Sequence, residues 1–130
     1  MILLDTHIWI WWVQGDPRLS SRNRDAIEKL EPDGLGISVI SCWEVAKLSV
    51  KGRIVLPLTP REWVRKALAY PGIVVLDLTP EIAIASVELP PPFHADPADR
   101  IIVATAMAND IPIVTEDAAI LVYPHVRCLQ

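Results

Sequence analysis

Four carboxylates sit where metal-dependent chemistry on phosphates would need them: Asp5, which closes the opening run Met1-Ile2-Leu3-Leu4, then Glu44, Asp99 and Asp117. Each falls at the end of a predicted strand or in the first turn of a predicted helix. In an open α/β sheet those positions share one edge, where strands finish, helices begin and ligand crevices form. Four acids converging there would repel one another unless a positive charge sat between them, most simply a divalent cation. Hydrolysis of a phosphodiester calls for such a centre. A hard cation lowers the pKa of its water, clamps a non-bridging phosphate oxygen and offsets charge on the departing oxygen.

The elements that must position these acids are legible from apolar runs and breakers. Ile2 to Asp5 reads as a buried strand, followed by a short helix over Thr6 to Val13, a Gly15-Asp16-Pro17 turn and an amphipathic helix over Ser20 to Leu30. Gly36 to Val39 is a second strand, leading into a helix from Ser41 to Val50 that stops at Gly52. Pro60 to Tyr70 reads as helix, Ile73 to Leu78 as strand and Pro80 to Leu89 as helix. Three successive prolines, Pro90 to Pro92, fix φ and remove donors, so the segment through Ala95 is a rigid connector into a long helix from Pro97 to Asn109. Pro112 to Thr115 is a strand, Glu116 to Ile120 a helical turn and Val126 to Leu129 an edge strand. Nearly all-apolar strands interleaved with helices predict a three-layer α/β/α domain around a central parallel sheet of about five strands.

The same acids admit a purely structural reading. Ser41-Cys42-Trp43-Glu44 fits a capping box in which Glu44 bonds back to the Ser41 amide. Asp96-Pro97-Ala98-Asp99 is a good helix start, with Asp96 as N-cap and Asp99 against the positive end of the dipole, and Thr115-Glu116-Asp117 can be read alike. Asp5, at a strand end, is the acid that capping does not explain. Acids recurring beside several elements of one sheet edge favour a metal site over capping alone.

At 130 residues the chain has the length of one domain, and 52% hydrophobic with 22% charged residues is the composition of a packed globule. The formal charge of −4 weighs against a polyanionic partner, yet one divalent ion halves it and two cancel it. Cys42 and Cys128 lie far apart without a C-x-x-C spacing, so reduced thiols in a cytoplasmic protein are expected. The apolar N-terminus carries Asp5 and His7, which excludes a membrane span and a signal peptide from the reading.

Four segments in order carry a resemblance: Met1-Ile2-Leu3-Leu4-Asp5-Thr6-His7; Ser38-Val39-Ile40-Ser41-Cys42-Trp43-Glu44; His94-Ala95-Asp96-Pro97-Ala98-Asp99-Arg100 with Ala104-Thr105-Ala106 behind it; and Thr115-Glu116-Asp117. Together they resemble the ordered motifs of PIN-domain ribonucleases, most closely the VapC-type toxins of toxin–antitoxin pairs, from residue 1 to about residue 128. The resemblance implies a single PIN domain over residues 1–130 with a Rossmann-like sheet. It implies an endoribonuclease leaving 5′-phosphate and 3′-hydroxyl ends, with Asp5, Glu44, Asp99 and Asp117 around one or two Mg²⁺ or Mn²⁺ ions. It also implies an RNA substrate, a VapB-like antitoxin and a homodimer. Asp96 matches an acid common in this subgroup, with helix capping as its alternative. Thr6 and Thr115 could orient the carboxylates or merely cap.

Other residues leave alternatives open. Arg100 could touch substrate phosphate or pair with Asp96 or another acid. Lys47 and Lys51 at i, i+4, with Arg53 after them, could line an RNA path or form a solvated helix face. His7 and His94 with Asp5 or Asp96 would be a two-histidine-one-carboxylate iron site, but no histidine pair has i, i+4 spacing. Ile8-Trp9-Ile10-Trp11-Trp12-Val13 is apolar around the whole helix, so part of it is expected to meet another chain unless later segments cover it. A phosphoacceptor receiver domain would need an acidic pair after the first strand and a lysine after the fifth, whereas Asp5 stands alone and no lysine follows Lys66. A catalytically silent PIN-like binding module is the stronger rival, since fold does not fix function.

Overall fold

The computed structural model describes residues 1–129. Its frame is a parallel sheet of β1 (Ile2–Leu4), β2 (Leu35–Ser38), β3 (Ile73–Leu76) and β4 (Ile113–Val114) in the order β3-β2-β1-β4. The predicted fifth strand reduces to a single bridge between Ile113 and Cys128. Pairing ends there because only two residues of β4 are extended before the chain turns into the acidic segment, leaving a short template for another strand. The reversal of strand order places a topological switch point between β1 and β4.

Side-chain alternation along β1 divides the core. Ile2 and Leu4 face a layer containing Trp9, Ile27, Val45 and Trp63, while Leu3 faces Ile82, Ile102, Val103 and Ile120. The first layer is built by α1 (Thr6–Gln14), α2 (Ser21–Leu30), α3 (Val39–Val50) and α4 (Pro60–Leu68), the second by α5 (Pro80–Val87), α6 (Pro97–Asn109) and α7 (Ala118–Leu121). Gly36 on β2 keeps the sheet tight: a Cβ there would stand 2.9 Å from Leu76 Cδ1 and 3.2 Å from the Ile2 carbonyl oxygen.

The tryptophan-rich helix α1 is mostly core. Ile8, Trp9 and Ile10 are buried, and Trp9 meets Trp63 edge-to-face at 5.0 Å, a pairing favoured by the ring quadrupoles. Of its apolar residues, Trp11, Trp12 and Val13 retain exposure. Trp12 packs against Tyr70 at 5.1 Å on one side of the molecule, while Trp11 faces a different cleft. Later segments thus cover most of the helix, leaving its last turn open.

Helix starts follow their caps. Ser20, Thr59 and Thr79 accept amide hydrogens from Asn23, Glu62 and Ile82, and proline supplies the first residue of α4, α5 and α6. Two expectations are corrected here. α3 begins at Val39 with Ser38 as its cap, so Ser41 and Glu44 lie inside the helix and form no capping box. Asp5 does cap a helix: it ends β1 and accepts the Thr6 amide at the start of α1.

Candidate metal-binding active site

The carboxylates converge through four chain segments at the C-terminal edge of the sheet. Asp5 follows β1, Glu44 lies in the second turn of α3 after β2, Asp96 and Asp99 open α6, and Asp117 follows β4. All five line one cleft of about 470 Å³. Side-chain ligand atoms of His94, Asp99 and Asp117 lie within 4.8 Å of one another.

Two hydroxyl groups set the orientation of the deeper acids. Thr115 Oγ1 donates to Asp5 Oδ2 at 2.7 Å and accepts the Asp117 amide at 3.0 Å, while Asp5 Oδ1 accepts the Thr6 amide at 2.8 Å. Thr6 Oγ1 donates to Glu44 Oε1 at 2.5 Å, so its contact with Ser41 Oγ at 2.8 Å is one in which Ser41 donates. Thr6, Ser41 and Thr115 are buried, so these bonds are shielded from competing water. Both threonines therefore hold carboxylates in place, and Thr115 joins the Asp5 and Asp117 segments through one oxygen.

Asp96 combines two placements, lining the cleft and capping α6 through Oδ1 to the Ala98 and Asp99 amides at 3.0 and 3.3 Å. Asp117 likewise accepts the Ala119 amide at 2.8 Å. Capping leaves one oxygen of each free of that amide, so cap and cleft lining are compatible.

Burial and mutual repulsion disfavour full ionisation of the cluster. Burial pushes the Asp5 carboxyl above its ordinary value, and the Asp117 charge adds to the effect. Glu44 is raised by burial and then by Asp5 and Asp96. Asp99 is raised to about 7 by burial, followed by the charges of Asp5, Asp96, Asp117 and Glu44. Among the described residues no lysine or arginine forms an ion pair with any of them, the one such contact being His94 Nε2 with Asp99 Oδ2 at 3.2 Å. An uncompensated set of hard oxygen donors fits a hard divalent cation.

The cleft also has a basic wall. Glu44, Lys47, Leu48 and Lys51 share one face of α3, and Arg53 follows on the same side. Lys47 Nζ lies 4.7 Å from the ring centre of the exposed Trp43. Helix α1 contributes His7, Ile8 and Trp11 to the lining.

The remaining predicted site residue, Arg100, is not brought to the cleft. Its guanidinium donates to the carbonyl oxygens of Ser86, Val87, Phe93 and His94 at 2.8 to 3.3 Å, which fixes the proline-rich connector rather than a phosphate or Asp96. Sequence reading missed His94 and Ser41 as members of the site. In the sequence His94 reads only as an iron ligand beside His7, although its place five residues before Asp99 is an available signal. Ser41 was obscured by the supposed capping box.

A parallel sheet whose switch-point edge gathers a cluster of carboxylates and a basic wall defines an α/β domain with an acidic centre at its strand ends. The chain belongs to the PIN domain family, whose model matches residues 2–125. It is similar to ribonuclease VapC22 of Mycobacterium tuberculosis (strain ATCC 25618 / H37Rv), with 35% identity over 126 residues covering 97% of this chain and 94% of that protein. Among solved structures it resembles a chain of VapBC2 from Rickettsia felis, bound there to a DNA fragment from their promoter, with a TM-score of 0.73 and 17% identity over 99% of this chain and 98% of the other. It also resembles a chain of a toxin–antitoxin complex from Klebsiella pneumoniae, with a TM-score of 0.67 and 24% identity over 97% and 95% of the two chains. At these identities the structural likeness is one of fold.

Proposed function

We propose that the chain acts as one domain, a divalent-metal-dependent endoribonuclease serving as the toxin of a toxin–antitoxin pair. The observation that carries this reading is the uncompensated carboxylate cluster at the switch point of a PIN-family sheet, flanked by Lys47, Lys51 and Arg53. A relative at 35% identity is named a ribonuclease, and resembling folds occur in VapBC and other toxin–antitoxin complexes.

Asp5, Asp99 and Asp117 would hold Mg²⁺ or Mn²⁺, with Glu44 completing the set. When bound, such an ion supplies Lewis-acid polarisation of the phosphate and a lowered pKa for attacking water. The chain's own contributions follow from its geometry. Thr115 and the Thr6 amide fix both oxygens of Asp5. Thr6 fixes one oxygen of Glu44, whose carboxyl is raised by burial and by Asp5 and Asp96, and a carboxylate so held could accept a proton from water. Lys47 and Lys51 lie about one and two turns beyond Glu44, roughly 5 and 10 Å along the axis, and serve the flanking phosphates of an extended strand.

An antitoxin has a candidate seat in the groove of about 830 Å³ lined by Trp12, Leu58, Trp63 and Tyr70. Exposed Trp43, Ile84 and Val87 provide apolar surface for a homodimer. No described helix is long and apolar enough to cross a membrane.

The direct test is Asp5→Asn, which keeps shape and removes charge. Cleavage of an RNA panel in Mn²⁺ should fall to background while the circular-dichroism spectrum stays that of the wild type. Persistence at the wild-type rate would refute the assignment.

A further inference from the structure

We propose that His94 is a positioning residue for the metal site, donating from Nε2 to Asp99 Oδ2 and holding that carboxylate with its other oxygen turned to the ion. The inference rests on the metal-dependent reading above and extends it to a residue outside the carboxylate set.

The ring's tautomer follows from its neighbours. His94 Nδ1 lies 3.2 Å from the backbone nitrogen of Asp96, which can only donate, so Nδ1 must be the accepting nitrogen. A neutral imidazole accepting at Nδ1 carries its proton on Nε2, and Nε2 lies 3.2 Å from Asp99 Oδ2. Although His94, Asp99 and Asp117 sit close enough to share an ion, direct ligation through Nε2 would move the ring proton to Nδ1, facing the Asp96 N–H. Two donors would then oppose each other. The arrangement therefore favours a histidine that donates to a metal ligand over one that is a ligand.

The connector that sequence reading marked only as rigid gains a role from this. Pro90 to Ala95 contains no helix or strand, yet it is fixed at several points. Arg100 donates to the carbonyl oxygens of Phe93 and His94 at 3.3 and 3.1 Å. Tyr123 Oη donates to the Pro90 carbonyl oxygen at 2.7 Å, and its ring packs 4.8 Å from that of Phe93. The Phe93 and His94 rings stack at 4.5 Å with planes 26° apart. Backbone, ring plane and Nδ1 are all constrained, which keeps Nε2 beside Asp99 Oδ2 at 3.2 Å. Groups that orient a metal ligand in this way commonly change affinity by about 10–100-fold when removed.

Calorimetric titration of Mn²⁺ into the full chain and two variants tests the assignment. His94→Gln can place an amide donor near the position of Nε2 and should bind Mn²⁺ within a few-fold of wild type. His94→Asn reaches only as far as Nδ1 and should bind about 10–100-fold more weakly, with a metal-free Tm close to that of His94→Gln. Equal affinities for His94→Asn and wild type would overturn the positioning role while leaving the metal site intact. So would directly bonded ¹⁴N coupling in the pulsed EPR spectrum of wild-type Mn²⁺ protein that is lost in His94→Gln, which would make His94 a ligand. Failure of wild type to bind Mn²⁺ would instead overturn the metal-site reading, and this inference with it.

Discussion

Replacing Asp99 by asparagine should make the metal-free protein more stable at alkaline pH while weakening its hold on Mn²⁺. Asp99 has its pKa raised from 3.8 to about 7, first by burial and then by four neighbouring carboxylates. A raised pKa means that the folded state keeps the proton longer than the unfolded chain does. The resulting destabilisation is absent below about pH 4, grows as pH rises toward 7 and is complete above it. Roughly three pKa units would be about 4 kcal/mol if none of it were screened. The Asp99 side chain is 18% exposed and faces an open cleft, so solvent screening reduces this to about 1–2 kcal/mol. Asparagine also forgoes a negative charge in the first turn of α6, worth about 0.3–1 kcal/mol in the opposite direction. The net gain is about 1 kcal/mol, or roughly 3–6 °C in Tm for a domain of this size.

Thermal unfolding in EDTA, followed by circular dichroism from pH 5 to 8.5, measures the effect. The Tm difference between variant and wild type should widen with pH and level off above about 7. Adding Mn²⁺ should reverse the order, because an ion that binds only the folded state stabilises by about 2.7 kcal/mol at a hundred times its Kd, a gain the variant largely loses. A variant less stable than wild type in EDTA at pH 8, or a difference that ignores pH, would show that Asp99 is not raised by burial and its neighbouring carboxylates.

Three further outcomes follow from the same geometry. Thr115→Val removes the donor to buried Asp5 Oδ2, and should lower stability by about 1–3 kcal/mol in denaturant titrations as well as weakening Mn²⁺ binding. Mn²⁺ affinity in the wild type should increase from pH 5.5 to 8 because ligands must lose protons first. Calorimetry in two buffers of different ionisation enthalpy should detect proton release that vanishes above about pH 8. On an Asp5→Asn background, which separates binding from cleavage, Lys47→Ala and Lys51→Ala should each weaken single-stranded RNA and reduce the slope of log K against log salt by about one contact. An unchanged slope would place the strand elsewhere.

Sequence reading recovered the parts of this molecule that depend on local chemistry. Strand cores, proline-led helix starts and the acids after β1 and β4 were legible because apolar runs and caps are encoded within a few residues. What escaped it depends on contacts distant in sequence. The start of α3 differs from the sequence reading because Ser38 and Ser41 are both good caps locally; in the fold Ser38 accepts the Ile40 amide, while Ser41 bonds the Thr6 hydroxyl 35 residues earlier. Arg100 looked like a phosphate contact beside Asp99, but its four carbonyl partners lie 6 to 14 residues earlier and exist only once the connector has folded over α6.

The opposition drawn from sequence between caps and metal ligands also dissolves in three dimensions. Asp5, Asp96 and Asp117 each cap a helix and each face the cleft. Helix N-termini stabilise negative charge, so a sheet edge where several helices begin can gather acids that would otherwise repel too strongly to coexist. The dipoles do not complete the compensation, because Asp99 remains raised to about 7 at the start of α6 despite that location. The remaining cost of burying and crowding these charges is what a divalent ion would relieve. Capping thus makes the cluster tolerable to the fold, and its incompleteness leaves a driving force for binding a cation.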